Sequence, residues 1–530
     1  MSTITIAPHR SLSACAWLIC FMALAGCVKL GPDYVRPSTD IRDNWLEEDS
    51  RHLNTSPADY RMWWTAFQDP VLDRFVQTAT TQNVSLRVAG ARVFEARARL
   101  GIAIGEQYPQ VQQGFGSASF YRQSEKAPSA PQVSTGVDYD YKQAQVGATA
   151  SWEIDFWGKF RRAVESEDAA FLGSIAAYDN ALVSLTAEVA RTYVFIRTLE
   201  ERRQIARDNV TVQTESLRIA TARFQGGATS ERDVQQALTQ LRSTEATIPQ
   251  IEASLRQAKN ALCVLLGMPP RNLETMLEDR AGIPEAPLDV AVGIPADLLR
   301  RRPDIRLAEY QAAAQSALIG VAKADLYPAF TLTGTFGFLS SDVGKFSLGD
   351  IGAWSSRTGS FGPGFTWNIL NYGQITNVVR VQDARFQELI FNYQETVLRA
   401  QQEVDDGLTA FLQSRKRLIS LAEAAAAAKR SADLALIQYR EGATDYTTVL
   451  TAQASLLTQQ DNLAAGQGDV PQGLIAVYRA LGGGWEIRDG RRFLPEDVTT
   501  AMGRRTSWGG LLEPAAVAPQ TKRQLLTPDW

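Results

Sequence analysis

Few residues in this 530-residue chain are of types that do covalent or metal chemistry. The only histidines are His9 and His52, too few for a histidine-based metal site or for the base of a Ser/His or Cys/His nucleophile. No glycine-rich phosphate loop or nucleophile elbow occurs, and the scattered Asp and Glu pairs fall on helical stretches as solvated faces. The sequence therefore assigns no catalytic residue, no metal ligand and no diffusible cofactor. A net charge of −4 gives no argument for a nucleic-acid partner. Four cysteines remain: Cys15, Cys20, Cys27 and Cys263.

One of them stands where a thiol can be acylated. An apolar run from Leu12 to Ala25, preceded by His9 and Arg10, is too short to span a membrane stably and reads as the core of a signal peptide. It ends Leu24-Ala25-Gly26-Cys27, which resembles a lipobox: small residues for a peptidase, then a cysteine to receive lipid. Cys27 would then carry a thioether-linked diacylglycerol and an amide-linked acyl chain (palmitate, for example), at ~0.8 kcal/mol per buried CH2 a durable anchor. Residue 28 is Val rather than the Asp associated with inner-membrane retention, which favours the outer membrane. The alternative is an ordinary signal peptide with an incidental cysteine. Only Cys263 remains as a free thiol in the mature chain, so no internal disulfide is possible.

The rest of the chain is built from one junction used twice. Val146, Ala148, Ala150, Trp152 and Ile154 alternate with Gly147, Thr149, Ser151 and Glu153, the period of a strand between two environments. After Gly158 the period becomes helical for about 65 residues, roughly 100 Å at 1.5 Å per residue. The junction returns 215 positions on, with Trp152, Ile154, Gly158, Asp168, Ala169 and Phe171 reappearing as Trp367, Ile369, Gly373, Asp383, Ala384 and Phe386. An internal two-fold repeat follows. The predicted organisation is a signal peptide over 1–26, an arm and the start of an equatorial region over 27–70, and a first repeat over 71–267. A linker over 268–295, a second repeat over 296–484 and a polar tail over 485–530, its end mobile, complete the chain.

Each repeat is expected to hold a helix, two strands, a long helix and a return helix. The first is a single helix over 71–107, then strands at 111–121 and 142–154, a helix over 159–224 and a return to Leu266-Gly267. The second repeats the plan with strands at 331–338 and 361–369 and a helix over 374–439. Seams Leu182, Leu185, Val189, Thr192, Ile196, Leu199 and Val397, Ala400, Val404, Gly407, Phe411, Ser414, Leu418, Leu421 alternate spacings of three and four, as coiled-coil packing requires. Gly226-Gly227 ends the first long helix, and Ser230-x-x-Asp233 reads as a capping box for its return. Pro249 is expected to kink or break that return helix.

Four alternating strands match the length that crosses an outer membrane, yet four cannot close a barrel. Unpaired edge groups in hydrocarbon cost several kcal/mol apiece, which outweighs the roughly 4–15 kcal/mol cost of association, so strands must be shared between chains. The long helices then continue the bore as antiparallel hairpins. Their far ends, Gly227-Ala228-Thr229 with Asp233 and Gly442-Ala443-Thr444-Asp445-Tyr446 with Thr448 and Thr451, are the candidate gate or adaptor contact; turn chemistry alone is the competing reading. Trp152, Phe156, Trp157, Trp367 and Tyr372 at the strand-helix junctions are candidates for an interfacial aromatic girdle, or else buried packing. Arg300 to Arg302 before Pro303-Asp304 read as the flank of a helix start.

The lipobox, Gly31-Pro32-Asp33-Tyr34, Leu299-Arg300-Arg301-Arg302-Pro303-Asp304-Ile305-Arg306, the duplicated strand-helix units and Leu481-Gly482-Gly483-Gly484-Trp485 together resemble the outer membrane efflux protein family. More closely they resemble its NodT-type lipoprotein branch, among the TolC/OprM-like outer membrane factors, over residues 27–487. The resemblance implies an α+β membrane protein of TolC-like fold, long antiparallel helical hairpins forming an α-barrel continuous with a shared transmembrane β-barrel, four strands per protomer. It implies a homotrimer with a 12-stranded barrel in outer membrane lipid of a Gram-negative cell, with a large periplasmic part. Partners implied are a periplasmic adaptor (membrane fusion) protein and an inner-membrane pump, and the function implied is passive export of drugs or other small toxic compounds. In the family the second tip often carries aspartates around the entrance; here Thr448 and Thr451 occupy those places, leaving Asp445 or Asp233 to supply charge. The competing reading is a lipid-anchored periplasmic coiled-coil scaffold that conducts nothing.

Overall fold

The computed structural model describes residues 28–47, 53–54, 59–122, 124, 140–279, 281–287, 289–293, 295–297, 301–343 and 347–513. The signal segment, Cys27, His52, Leu299, Arg300 and the end of the tail lie outside the described residues, as do parts of the loops 122–141 and 340–360.

The expected alternation is realised as one antiparallel sheet of β1 (Val111–Arg122), β2 (Asp140–Ile154), β3 (Ala329–Ser341) and β4 (Arg357–Thr366), in the order β1-β2-β3-β4. The two halves meet at β2 and β3, where Ala148 faces Phe336 and Trp152 faces Leu332. Register carries one apolar face across all strands: Gly114 opposes Ala148, Ala148 opposes Phe336, and Gly334 opposes Phe361. The last strand ends at Thr366, so Trp367 and Ile369, expected within it, lie just beyond. Pro363 is accommodated because β4 is an edge strand.

Helices α1 (Pro70–Gln82) and α2 (Val84–Gly105) replace the single helix expected over 71–107. Asn83 leaves helical geometry and caps α2, its side chain accepting from the Leu86 amide at 2.9 Å. The long helices α3 (Lys159–Gln225) and α6 (Gln374–Arg440) are each 67 residues, and their returns α4 (Glu231–Leu265) and α7 (Tyr446–Ala480) are each 35 residues. Helix α4 runs through Pro249 without the expected break, because that proline is on an exposed face where water can take the freed carbonyl. Helix α5 (Pro303–Ala324) is the second-half counterpart of α2.

A return helix covers only about half of the long helix it packs on, so each half splices two helices end to end. At the end of α4, Gly267 takes φ 73 and lies against the Gln82 carbonyl, while Asn83 Nδ2 donates to the Leu265 carbonyl at 2.9 Å. At the end of α7, Arg302 Nη1 donates to the Ala480 carbonyl at 2.8 Å, and its guanidinium pairs with Asp304 (2.6 Å) and Glu403 (2.8 Å). The Leu299–Arg306 signature is therefore structural at Arg302, with Pro303 at the first helical position.

The main core gathers where these splices meet the middle of α3, with Leu182, Leu185, Val189, Ile196 and Leu199 of the predicted seam buried and Thr192 half-buried. The linker contributes rather than merely connects: Leu273, Leu277, Val290 and Val292 are buried, and Val290–Ala291 pairs with Leu53–Asn54. The beginning of the tail, polar in sequence, is likewise packed against the body. Phe493 and Leu494 are buried against α2 and α3 before helix α8 (Glu496–Arg505), because two apolar residues there close over Tyr178 and Gly90.

Candidate functional site: the hairpin tips and the strand-helix junction

Both tips turn by the same backbone device. Gly227 (φ 72) and Gly442 (φ 82) adopt the left-handed conformation, and the amides of Ala228 and Ala443 reach back to the Arg223 and Gln438 carbonyls at 2.8 Å. The return helices are capped differently. Asp445 accepts from the Thr448 amide (3.1 Å) and hydroxyl (2.9 Å), and the Thr444 hydroxyl donates to that of Thr448 at 3.0 Å. These bonds hold the Asp445 carboxyl below the usual carboxylate range, so it stays a charge in solvent.

In the first tip the expected capping box does not form: Ser230 makes no side-chain cap. Asp233 instead turns inward, 4% exposed, accepting from the Thr229 hydroxyl and from the Tyr439 hydroxyl of the other hairpin at 3.4 Å. Arg223 crosses the same gap, donating to the Tyr439 carbonyl and to the Arg440 carbonyl (3.1 Å), with its guanidinium 4.8 Å from the Tyr439 ring centre. One hairpin thus supplies a cation to the carbonyl-rich end of the other's long helix. Asp233 is withdrawn from any ring of exposed charge. Tyr446, 1% exposed and edge-on to Tyr439 at 5.2 Å, belongs to the small core beneath the tips and presents no face to a partner. Gly227, Ala228, Gly442, Ala443, Asp445, Thr448 and Thr451 are exposed, with Thr229 and Thr444 half-buried. Sequence reading missed Arg223 and Tyr439; a basic residue in the last helical turn was the available signal.

The other candidate cluster lies at the opposite end of the long helices. The indole N–H groups of Trp152, Trp157 and Trp367 donate to the carbonyls of Gln107 (3.2 Å), Pro328 (2.8 Å) and Leu326 (3.0 Å), which lie just past the ends of α2 and α5 on the way into the sheet. Phe156 packs on Trp157 and Phe330, and Trp157 on Tyr327. Tyr372 is 97% exposed, next to exposed Ile369 and Leu370. The N-terminal arm begins at this level: the Leu30 amide donates to the Trp157 carbonyl at 3.1 Å. Arg162, 1% exposed, donates to the Leu30 (2.9 Å) and Gly31 (3.1 Å) carbonyls and pairs with Asp33 and Glu165 at 2.9 Å. Gly31 has φ 88 and contacts the Gly320 backbone, which accounts for the glycine of the Gly31–Tyr34 motif. The arm then descends along α5 and α6 through Arg36–Glu309, Gln401 to the Asp40 carbonyl, and Arg42–Asp405.

A sheet with one apolar face, paired 67-residue helices and tip-to-tip bonds agrees with a match to the family model described as outer membrane efflux protein, over residues 75–268 and 294–483. The chain belongs to the outer membrane efflux proteins. This efflux protein is 30% identical over 479 residues to the solvent efflux pump outer membrane protein SrpC of Pseudomonas putida, spanning 89% of this chain and 98% of that one. Nodulation protein T of Rhizobium leguminosarum bv. viciae is 30% identical over 472 residues, covering 88% and 92%. Among solved structures, the outer-membrane channel OprN superposes with a TM-score of 0.80 at 32% identity, covering 86% of this chain and 100% of that one. The open state of the Neisseria gonorrhoeae MtrE outer membrane channel gives 0.72 at 25%, covering 86% and 98%. The efflux protein accordingly has the TolC-like fold and is an outer membrane channel component of a Gram-negative efflux system, with a large periplasmic part.

Proposed function

We propose that three copies of this chain close a 12-stranded barrel continuous with a helical cylinder, a passive duct with no catalytic residue. It would carry drugs or other small toxic compounds from a periplasmic adaptor and an inner-membrane pump to the exterior. The observation that carries this is the open sheet: β1 and β4 each have one edge without a partner strand among the described residues, beside an apolar face. Such edges in hydrocarbon cost several kcal/mol per backbone group, and identical neighbours satisfy them. The number three comes from the family; the edges alone require an oligomer. The names of SrpC and its relatives, which refer to solvent, toluene and antibiotic efflux, support small apolar cargo.

The lipid fits the same picture. Residue 27 stands three residues before Leu30, so at ~3.3–3.6 Å per residue an acylated Cys27 would reach no farther than roughly 11 Å from Leu30, whose amide is bonded to the Trp157 carbonyl. That is the level proposed for the girdle formed by Trp152, Phe156, Trp157, Trp367 and Tyr372. The Arg223–Tyr439–Asp233 contacts hold the periplasmic entrance narrow, and the exposed tip residues, Asp445, Thr448 and Thr451 among them, offer the adaptor its contact. Planar-bilayer recording of protein purified in mild detergent tests the reading. An oligomer with heat-modifiable migration and discrete current steps is expected. A monomer that stays electrically silent even after Arg223 is replaced would defeat it.

A further inference from the structure

The apolar face of the sheet has a second, distal boundary built differently from the girdle. From Phe330, beside the junction, to Phe338 is eight residues, about 27 Å along a strand and roughly 20 Å along a barrel axis at the usual tilt. That suits a thin outer membrane. At and above this height the same face carries cations. Register places Arg357 opposite Phe338 and Lys142 opposite Phe120, and both side chains share the parity of Ala148, Phe336 and Phe361. Trp354, 67% exposed, lies 6.5 Å from the Phe336 ring, and Arg357 stacks over it at 5.0 Å while donating to its carbonyl at 2.7 Å. Neither the Arg357 guanidinium nor the exposed Lys142 ammonium has a carboxylate in ion-pair distance among the described residues; the Asp342 carboxylate opposite Lys142 accepts from its backbone amide at 2.6 Å instead. The neighbouring Arg122, by contrast, pairs with Asp140 at 3.4 Å. A ring that prefers the lipid–water boundary, stacked under the Arg357 cation and with Lys142 two strands away on the same face, is complementary to an anionic lipid headgroup.

We propose that Trp354, Arg357 and Lys142 form a docking site for the phosphates of an anionic lipid in the outer leaflet, the indole resting at acyl level under Arg357 and the second phosphate reaching Lys142 across β3. This rests on the barrel reading above. The experiment is equilibrium binding of diphosphoryl lipid A to the purified full-length protein, with dephosphorylated lipid A and inorganic phosphate as controls. Arg357→Gln and Lys142→Gln should each weaken diphosphoryl lipid A roughly fivefold and leave the dephosphorylated form unchanged. Trp354→Ala should weaken both lipids. Equal affinity of wild type and the Arg357→Gln/Lys142→Gln double variant for diphosphoryl lipid A would overturn the proposal. So would displacement by inorganic phosphate at the affinity of the lipid. Bilayer current from wild type in phosphatidylcholine alone reports the barrel independently, so a conducting protein indifferent to lipid A sinks this inference and leaves the duct standing.

Discussion

Arg223 is the residue on which the contact between the tips depends most visibly, since among the described residues it alone binds the helix-end carbonyls of the facing hairpin with a full charge. Hydrogen bonds from a charged donor contribute on the order of 1.5–3 kcal/mol, less where water reaches them as it does here. Arg223→Met should therefore raise single-channel conductance or open probability without altering oligomer yield; recording the two proteins side by side checks it. Asp179 makes a different prediction. Fully buried, it pairs with Arg488 (2.5 Å) and more distantly with Arg306 (3.7 Å), yet burial outweighs both and pushes its carboxyl up to about 6. A carboxyl raised from 3.8 in the folded state favours folding most below that value and loses the advantage as pH rises towards 6. The melting temperature of Asp179→Asn relative to wild type should thus climb between about pH 4 and pH 6, by the equivalent of a few kcal/mol. A difference that stays flat across that window counts against the assignment.

At the scale of elements, the arm from residue 28 onward is a strap held mainly by Arg162. Arg162→Met removes a buried cation and leaves the Leu30 and Gly31 carbonyls and the Glu165 carboxylate without it; breaking such a pair costs ~3–5 kcal/mol. Limited proteolysis should then cut within residues 28–47, where wild type resists, and the oligomer should melt earlier. The long helices, their glycine ends and the repeat were legible because each is written in local periodicity and spacing. What stayed hidden depends on contact across hundreds of positions. The break at Asn83 is made by the end of α4, and Arg162 reads in sequence as one basic residue in a polar helix start. Asp233 shows the same limit. Its spacing from Ser230 fits a capping box, but Tyr439, 206 positions away, and Thr229 take the carboxylate instead. The ordered start of the tail was missed because Phe493 and Leu494 are a lone apolar pair with no period to announce them.

For the whole molecule, two anchors of unequal weight are expected, the barrel and the acyl chains. Cys27→Ser should lose the lipid and still yield the heat-modifiable oligomer in outer-membrane fractions, since the apolar face of the sheet is present without it; absence of any folded oligomer from those fractions would contradict this. The bond between the tips has a further effect once copies surround a common axis. Its parts are unevenly divided: the first hairpin lends the arginine and the second lends only helix-end carbonyls and a tyrosine. Six tips from three copies would meet in six seams, and this rivet, made within a protomer, would recur at every second one. In such an arrangement each protomer's two tips would move as one joined pair.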